Sequence, residues 1–144
     1  MITLRTLTLT VFSTILVFGL QAQQPVNKTL AKSFNLQGND VLDLKLKGDI
    51  EVKEWNSAAI RVEMLISLEN GSEMLLKSLI KAGRYNLVAE ESEDSFVVAM
   101  PGLEREVAVK GLALVDKVSY IVSVPADVII RKSETTLVEA DIDK

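Results

Sequence analysis

The feature that most constrains this chain is a strict alternation of apolar and polar side chains around residue 64. Five apolar residues keep the same parity there, namely Ile60, Val62, Met64, Ile66 and Leu68. Polar residues, including Arg61 and Glu63, lie between them. Successive side chains of a strand point to opposite faces, so the pattern predicts a long strand with one buried and one solvated face. Leu65 breaks the alternation and is expected either against a second layer or in solvent.

The same period-two pattern predicts several further strands. Their buried faces are expected to hold Leu42, Leu44 and Leu46, then Phe96, Val98 and Met100, and then Val118, Tyr120, Val122 and Val124. Strand signals on both sides of the acidic stretch 90–94 predict a hairpin with a solvated loop. Pro125 ends one strand because proline has no amide hydrogen to donate, and a last strand is expected at 128–131. The fold class is therefore mainly β, with antiparallel or solenoid-like β-sheet layers.

Gly48 and Asp49 separate the leucine-rich strand from the next one. A glycine at the first central position fits a type II′ hairpin turn, and a corner of a solenoid would use the same dipeptide. Both interpretations stay open from the sequence. Trp55 breaks the alternation of the second strand, so we expect it at the end of that strand, where it covers the edge of the core.

The apolar period changes after Asn70, which predicts one amphipathic helix packed on the sheets. The apolar residues at helical spacing are Leu75, Leu76, Leu79 and Ile80. Asn70 followed three residues later by Glu73 resembles a capping box, and Gly83 stands where a left-handed C-cap is expected. A helix of about three turns is marginal alone in water, so its leucine face is expected to pack on the sheet.

The first 22 residues predict a secretory signal peptide. Arg5 precedes an apolar run from Leu7 to Leu20, and cleavage is expected between Ala22 and Gln23. An uncleaved anchor is less favoured, because the run is shorter than the roughly 20 residues of a spanning helix. The chain has no cysteine, which excludes a lipoprotein anchor. We therefore expect an exported protein without a stable membrane span, in the periplasm or on the cell surface of a Gram-negative bacterium.

These patterns divide the chain into four parts. Residues 1–22 are the predicted signal peptide, 23–33 a flexible polar segment, 34–132 a single β-rich domain, and 133–144 a C-terminal tail. A domain of that length can bury its own core. Without disulfides, its stability has to come from packing and strand pairing.

The composition excludes most catalytic chemistry. The chain has neither histidine nor cysteine, so Ser-His-Asp and Cys-His mechanisms and the usual zinc, haem and iron-sulfur sites are excluded. Ser78 and Lys81 match the Ser-x-x-Lys motif of penicillin-recognising enzymes, but the other motifs of those enzymes are missing, and both residues are expected on the wet face of the helix. A pair of carboxylates for glycoside cleavage is a remote alternative. We predict no catalytic, metal or cofactor-binding residue and no cofactor.

The distribution of charge also limits the classes of partner that the chain can bind. A net charge of −4, with the acids spread along the chain, excludes a nucleic-acid partner. Glu90, Glu91, Glu93 and Asp94 are of the type that holds calcium, but no Asp-x-Asp-x-Asp-Gly loop surrounds them. A solvated hairpin tip is the favoured interpretation of this cluster.

Three segments together resemble the N-terminal part of the bacterial putative-adhesin family, exported domains of unknown function found especially in Bacteroidetes. They are Gly48 to Trp55, Ile80 to Tyr85, and Val118 to Asp127, and the motif residues in them are Gly48, Asp49, Trp55, Gly83, Tyr120 and Pro125. The resemblance covers residues 34–132 and implies a mostly β, solenoid-like envelope protein with no active-site residues to carry over. Family members usually continue into a ladder of repeated strands, so this chain is expected to be a truncated or minimal member.

We therefore expect an exported, non-enzymatic envelope protein that serves as a structural or adhesion-type module, with a macromolecular or envelope partner of unknown identity. The alternatives are a periplasmic binder of a small hydrophobic ligand and an envelope-signalling accessory protein. A module predicts a solid core under Leu75 and Leu79. A ligand binder predicts a cavity there, between the helix and the sheet.

Overall fold

The structure, a computed structural model, describes residues 24–133. The predicted signal peptide, its cleavage point at Ala22 and Gln23, and residues 134–144 of the predicted tail lie outside the described residues. Strands account for 50% of the described residues and helices for 12%, so the prediction of a mainly β fold is confirmed. Within this range, none of the helices is long and apolar enough to cross a membrane.

The elements follow one another in a fixed order along the chain. They are β1 (Val26–Asn35), β2 (Val41–Lys45), β3 (Ile50–Glu54), β4 (Ala59–Leu68), α1 (Glu73–Lys81), β5 (Val88–Glu91), β6 (Phe96–Ala99), a short 3-10 helix (Pro101–Glu104), β7 (Ala108–Val109), β8 (Leu112–Ala113), β9 (Asp116–Val124) and β10 (Ile129–Lys132). The first sheet has the order β1-β4-β9-β3 and the second the order β10-β2-β6-β5, while β7 and β8 form a separate hairpin.

Both sheets are mixed. In the first sheet β4 is antiparallel to β1 and β9, whereas β3 is parallel to β9. In the second sheet β10, β2 and β6 are parallel, and β5 is antiparallel to β6. The predicted hairpin around the acidic stretch is therefore confirmed as β5 and β6, with the acidic side chains exposed.

The apolar parity of the strands points into one core. All five apolar residues of β4 are buried, and so are Leu42, Leu44 and Leu46 beside β2 and the four predicted residues of β9. Buried side chains from both sheets belong to one hydrophobic cluster, so the sheets pack face to face. Leu65, the exception in the pattern, is 43% exposed on the outer face.

Of the two interpretations left open for Gly48 and Asp49, the hairpin turn is wrong. β2 lies in the second sheet and β3 in the first, so the chain crosses between sheets at residues 46–49 instead of folding back on itself. Gly48 has a φ of 129°, and a Cβ atom there would overlap the backbone carbonyl of Val118. The glycine is needed because the corner passes directly against β9.

The prediction of a flexible segment at 23–33 is wrong for most of that segment. It contains most of β1, which pairs with β4 from Val26 opposite Leu68 to Asn35 opposite Ala59. The alternation was hidden because lysines occupy positions on the core side of this edge strand. Lys32, for example, extends past the core and its Nζ donates to the carbonyl of Leu87 at 2.9 Å.

The predicted helix is confirmed as α1, but its N-cap differs from the prediction. Ser72 is the cap, and its hydroxyl accepts a hydrogen bond from the backbone N–H of Leu75 at 3.2 Å. The side chain of Asn70 instead bonds the backbone around β8. Gly83 has a φ of 83°, as expected for a left-handed residue after the helix, and Leu76 and Leu79 are buried in the common core.

Candidate functional site

A buried ionic cluster of Arg84, Tyr85 and Asp116 is the most distinctive polar arrangement of the described residues. The Arg84 guanidinium donates from Nε to Asp116 Oδ2 at 2.6 Å and from Nη2 to Oδ1 at 3.0 Å. The Tyr85 hydroxyl donates to Oδ2 at 2.8 Å. The side chains of the ion pair are only 9% and 6% exposed. This bidentate geometry is the strong form of a charged hydrogen bond.

Local backbone geometry brings these residues together. Gly83 ends the helix in the left-handed conformation, and the next residue, Arg84, donates its backbone N–H to the carbonyl of Leu79 at 3.1 Å. The chain thus turns back so that Tyr85 is buried. Asp116 is the first residue of β9 and shares the inward parity of Val118. Its carboxylate therefore points toward the interior, at the place where the chain leaves α1.

The electrostatics of the cluster follow from these contacts. Burial acts to raise the pKa of Asp116, but the hydrogen bonds from Arg84 and Tyr85 outweigh it and hold that pKa below its ordinary value. The hydrogen bond to Asp116 raises the pKa of Arg84. Burial, and then the Asp116 contact, raise the pKa of Tyr85. The carboxylate is a poor base and the phenol a poor nucleophile in this arrangement.

The remaining guanidinium nitrogen of Arg84, Nη1, bonds the backbone of the 3-10 helix and of the residue that follows it. Nη1 donates to the carbonyls of Gly102 at 3.1 Å and Arg105 at 2.9 Å. A Cβ atom on Gly102 would overlap the backbone of Arg84, so glycine permits this close approach. Throughout residues 24–133, every buried side-chain nitrogen or oxygen has a hydrogen-bond partner. The cluster therefore acts as a structural clamp on the 3-10 helix and the segment leading to β7.

An open groove of about 1070 Å³ lies beside this clamp, between the β7–β8 hairpin and the Gly48 corner. Its charged lining includes Lys47, Asp49, Glu104, Arg105, Glu106 and Lys117. The lining also includes the apolar residues Leu103, Leu114 and Val115, so the groove combines apolar surface with charges of both signs. Apolar and polar surface occur together in contacts between macromolecules. A smaller depression of about 360 Å³ lies on the outer face of the first sheet, around Thr29, Leu65 and Ser119.

The β7–β8 hairpin forms the rim of the groove; it is exposed, and hydrogen bonds hold its base. Lys110 and Gly111 form its tip with φ values of 52° and 79°, as a type I′ turn requires. Leu112 is 71% exposed. At the base, the Asn70 side chain donates to the carbonyl of Ala113 at 2.8 Å and accepts from the N–H of Val115 at 2.9 Å. The hairpin is therefore held at its base, while Leu112 stays in solvent.

The structure brings three of the six predicted motif residues into one contact. Tyr120 donates its backbone N–H to the carbonyl of Asp49 at 2.8 Å and its hydroxyl to the carbonyl of Lys47 at 3.3 Å, beside Gly48. Burial raises the pKa of Tyr120. These residues fix the corner between β2 and β3, and none of these contacts forms a reactive centre.

The remaining motif residues lie elsewhere. Trp55 directly follows β3, as predicted, with its N–H bonded to the carbonyl of Val124 at 2.9 Å and its Nε1 bonded to that of Ala59 at 2.8 Å. Pro125 directly follows β9 and is therefore beside Trp55. Gly83 adjoins Arg84. The predicted motif residues thus support the fold at three separate points.

The reactive-looking residues of the sequence do not form a site. Ser78 and Lys81 are exposed, and the Ser78 hydroxyl donates to the carbonyl of Met74 at 3.0 Å. Nowhere in the part of the chain that the structure describes do three acidic side chains gather closely enough to hold a metal ion. Leu76 and Leu79 are buried, and neither the groove nor the depression is lined by a residue of α1.

The ionic cluster was missed from the sequence. Arg84 and Asp116 are 32 residues apart, and the periodicity of either segment gives no sign of the other. One signal was available, because Asp116 carries a charge on the apolar parity of β9. A carboxylate at such a position requires a partner.

No family model matches the chain, and no match was found among curated proteins or among solved structures. The resemblance to the adhesin family therefore stays a prediction from sequence patterns.

Proposed function

We propose that this chain is an exported, non-enzymatic module of the bacterial cell envelope, of structural or adhesion type, which acts by binding other macromolecules. The observation that supports it best is that both sheets are open. Among the described residues, β1, β3, β5 and β10 each have a neighbouring strand on one side only. Open strand edges present unpaired backbone groups, and many proteins bind extended segments of partners in this way.

The packing around α1 supports a module over a binder of hydrophobic ligands. Leu76 and Leu79 are buried in the core that the sheets share, and Leu75 and Ile80 pack against it. Exposed apolar side chains lie instead on the outside, as in Leu112 of the hairpin. The surfaces available for binding are therefore the strand edges, the hairpin and the mixed-charge groove.

The proposed export and the proposed relation to the adhesin family rest on sequence patterns. The leader of residues 1–22 supports secretion into the envelope of a Gram-negative bacterium. The segments that resemble the adhesin family of Bacteroidetes include the Gly48 corner, which passes between two sheets as a corner of stacked strands does.

Fractionation of a Bacteroidetes host that expresses the full chain tests export. We expect the protein in the periplasm or at the cell surface, with Gln23 as its first residue. The variant Leu16→Arg places a charge in the apolar run and should keep the protein in the cytoplasm with its leader attached. Full-length wild-type protein in the cytoplasm would contradict the proposal.

Native mass spectrometry of protein purified from that host separates the module from the ligand binder. A module is expected at the mass of the processed chain or at multiples of it. A stoichiometric extra mass that organic extraction removes would instead show a bound small hydrophobic ligand and would overturn this part of the proposal.

A further inference from the structure

The two sheets end together at both ends of the sandwich, and a lysine links the edges at each end. The first end is formed by β3 and β10, where Lys132 Nζ donates to the carbonyl of Ile50 at 3.2 Å. The second end is formed by β1 and β5, where Lys32 Nζ donates to the carbonyl of Leu87, directly before β5. Each end therefore presents two strand edges at a fixed separation.

Backbone groups of these edge strands face outward. The N–H of Trp55 and the carbonyl of Asp49 bond to β9, so by alternation the groups of Ile50, Val52 and Glu54 point away from it. On β10, the N–H groups of Ile129 and Ser133 bond toward β2, so those of Ile130 and Lys132 point outward. The first end can thus accept one further strand on each sheet.

The second end offers matching edges. The N–H of Glu69 bonds to Val115 on the β9 side, so the odd-numbered residues of β4 face β9 and the even-numbered ones face β1. Their partners on β1 are even-numbered too, which leaves the N–H of Ala31 pointing outward. From the strand directions, β3 would meet β1 of another copy in parallel, and β10 would meet β5 antiparallel.

The charges of the two ends are complementary. The charged residues are Arg131 and Lys132 on β10, Glu90 and Glu91 on β5, Lys28 and Lys32 on β1, and Glu51, Lys53 and Glu54 on β3. The second sheet is therefore basic at the first end and acidic at the second, and the first sheet has the opposite arrangement. Translating one copy onto the next brings Arg131 and Lys132 toward Glu90 and Glu91, although Arg131 Nη1 also lies 3.7 Å from Asp94 Oδ2 of its own copy. In the first sheet, only Glu54 shares the core-side parity of Lys28 and Lys32.

Exposed apolar side chains lie on the same two edges of the second sheet. Ile129 on β10 is 60% exposed and Val88 on β5 is 39% exposed. Ile130 and Ala89 pack on the core, so by alternation Ile129 and Val88 share the outer face. Joining the edges would bring them to the same junction, where cross-strand contact stabilises a pair.

From these observations we propose that copies of this chain associate head to tail, with β3 and β10 of one copy against β1 and β5 of the next. The interface is heterologous and continues both sheets. Lys132 must release the carbonyl of Ile50 to a backbone N–H of the neighbour. Lysines on an edge strand oppose its pairing with a strand of another chain, so association is expected only at high protein concentration. The proposal goes beyond the proposed function, because it requires neither export nor an adhesive partner.

Proline variants of the purified chain lacking residues 1–22 test the interface. Val52→Pro and Ala31→Pro each remove an outward N–H without breaking a hydrogen bond inside the sheets, and proline is tolerated on edge strands. By sedimentation equilibrium from about 1 µM to about 1 mM, wild type should form a growing series of oligomers. Each variant alone should stay monomeric, and a mixture of the two should stop at a 1:1 heterodimer.

Other results of this experiment overturn the proposal. Wild type that stays monomeric throughout the range excludes the stack. Oligomers of one proline variant alone show a symmetric interface that uses a single end. Circular dichroism melting shows whether each variant is folded.

Charge variants test the same interface without touching the backbone. Arg131→Glu and Glu90→Arg should each weaken association at least tenfold at low salt, and the double variant should restore it. Lys110→Glu makes the same change of charge as Arg131→Glu, but at the hairpin tip, and should leave association unchanged. Failure of the double variant to restore association overturns the proposed pairing of β10 with β5, whatever the result of the export experiment.

Discussion

The interior between the sheets and the junction around Arg84 are stabilised in different ways. Between the sheets, apolar side chains of alternating strands pack into one cluster. At the junction, a single bidentate ion pair joins Arg84 to Asp116 and also holds the carbonyls of Gly102 and Arg105. A packed core tolerates substitutions that keep its volume, whereas removal of either partner of a buried ion pair leaves an uncompensated buried charge. This fold therefore has a core spread over many apolar contacts and one buried ion pair at the junction.

Removing one partner of the ion pair should have the largest effect. Arg84→Ala leaves the Asp116 carboxylate buried without its cation, and the free energy of unfolding should fall by about 3 to 5 kcal/mol. Urea denaturation followed by circular dichroism measures this change.

The control for Arg84→Ala is Arg61→Ala, which removes an exposed arginine paired with Glu63 at 3.2 Å. That change should cost about 0 to 1 kcal/mol. The double variant Arg84→Met/Asp116→Leu removes both charges and should be more stable than Arg84→Ala. Equal losses of unfolding free energy in Arg84→Ala and Arg61→Ala would show that the buried ion pair contributes no more to stability than the exposed one.

A smaller effect is expected from acid. The pKa of Asp116 is below its ordinary value of 3.8 in the folded protein, so the unfolded chain takes up a proton first as the pH falls. The stabilisation from this group is complete above the unfolded-state pKa and is lost as the pH falls through the folded-state pKa, at no more than about 1.4 kcal/mol per pH unit.

Urea denaturation between about pH 7 and pH 3 measures the acid effect. The double variant Arg84→Met/Asp116→Leu lacks the titrating group and should lose stability less steeply in the acid part of the range. Identical slopes for wild type and double variant would mean that Asp116 does not account for the acid sensitivity.

The two regions also differ in how well the sequence predicts them. The parity of β4 and β9 is repeated every second residue, so each strand carries its own evidence for the buried face. Arg84 and Asp116 lie in separate segments, and the sequence around either residue does not predict its contact with the other. The sequence left a turn and a corner both open at Gly48 for the same reason, because only the approach of Val118 decides between them.

The strand β1 was missed because its apolar side chains recur only every fourth residue. Val26, Leu30 and Phe34 pack on the core, and lysines take the inward positions between them. At the edge of a sheet such lysines reach solvent or a carbonyl beyond the core, as Lys32 does. Apolar parity therefore predicts a strand poorly where lysines take the inward positions, as they do in β1.

The smallest effect separates two residues that the sequence did not distinguish. Ser72 caps α1 through the N–H of Leu75, whereas Asn70 holds the base of the β7–β8 hairpin through Ala113 and Val115. Ser72→Ala should lower the free energy of unfolding by about 1 kcal/mol through loss of the cap. Asn70→Ala should leave the helix intact and loosen the hairpin.

Hydrogen exchange of backbone amides distinguishes these two variants, because each residue protects a different segment. Ser72→Ala should speed exchange in the first turn of α1, and Asn70→Ala should speed exchange at Val115 and at Leu114, whose N–H bonds to the carbonyl of Val107. Faster exchange of the first helical turn in Asn70→Ala would restore the capping role that the sequence predicted. Because the hairpin forms the rim of the groove, its loosening without loss of the helix would also show that the groove can be altered while the core between the sheets stays unchanged.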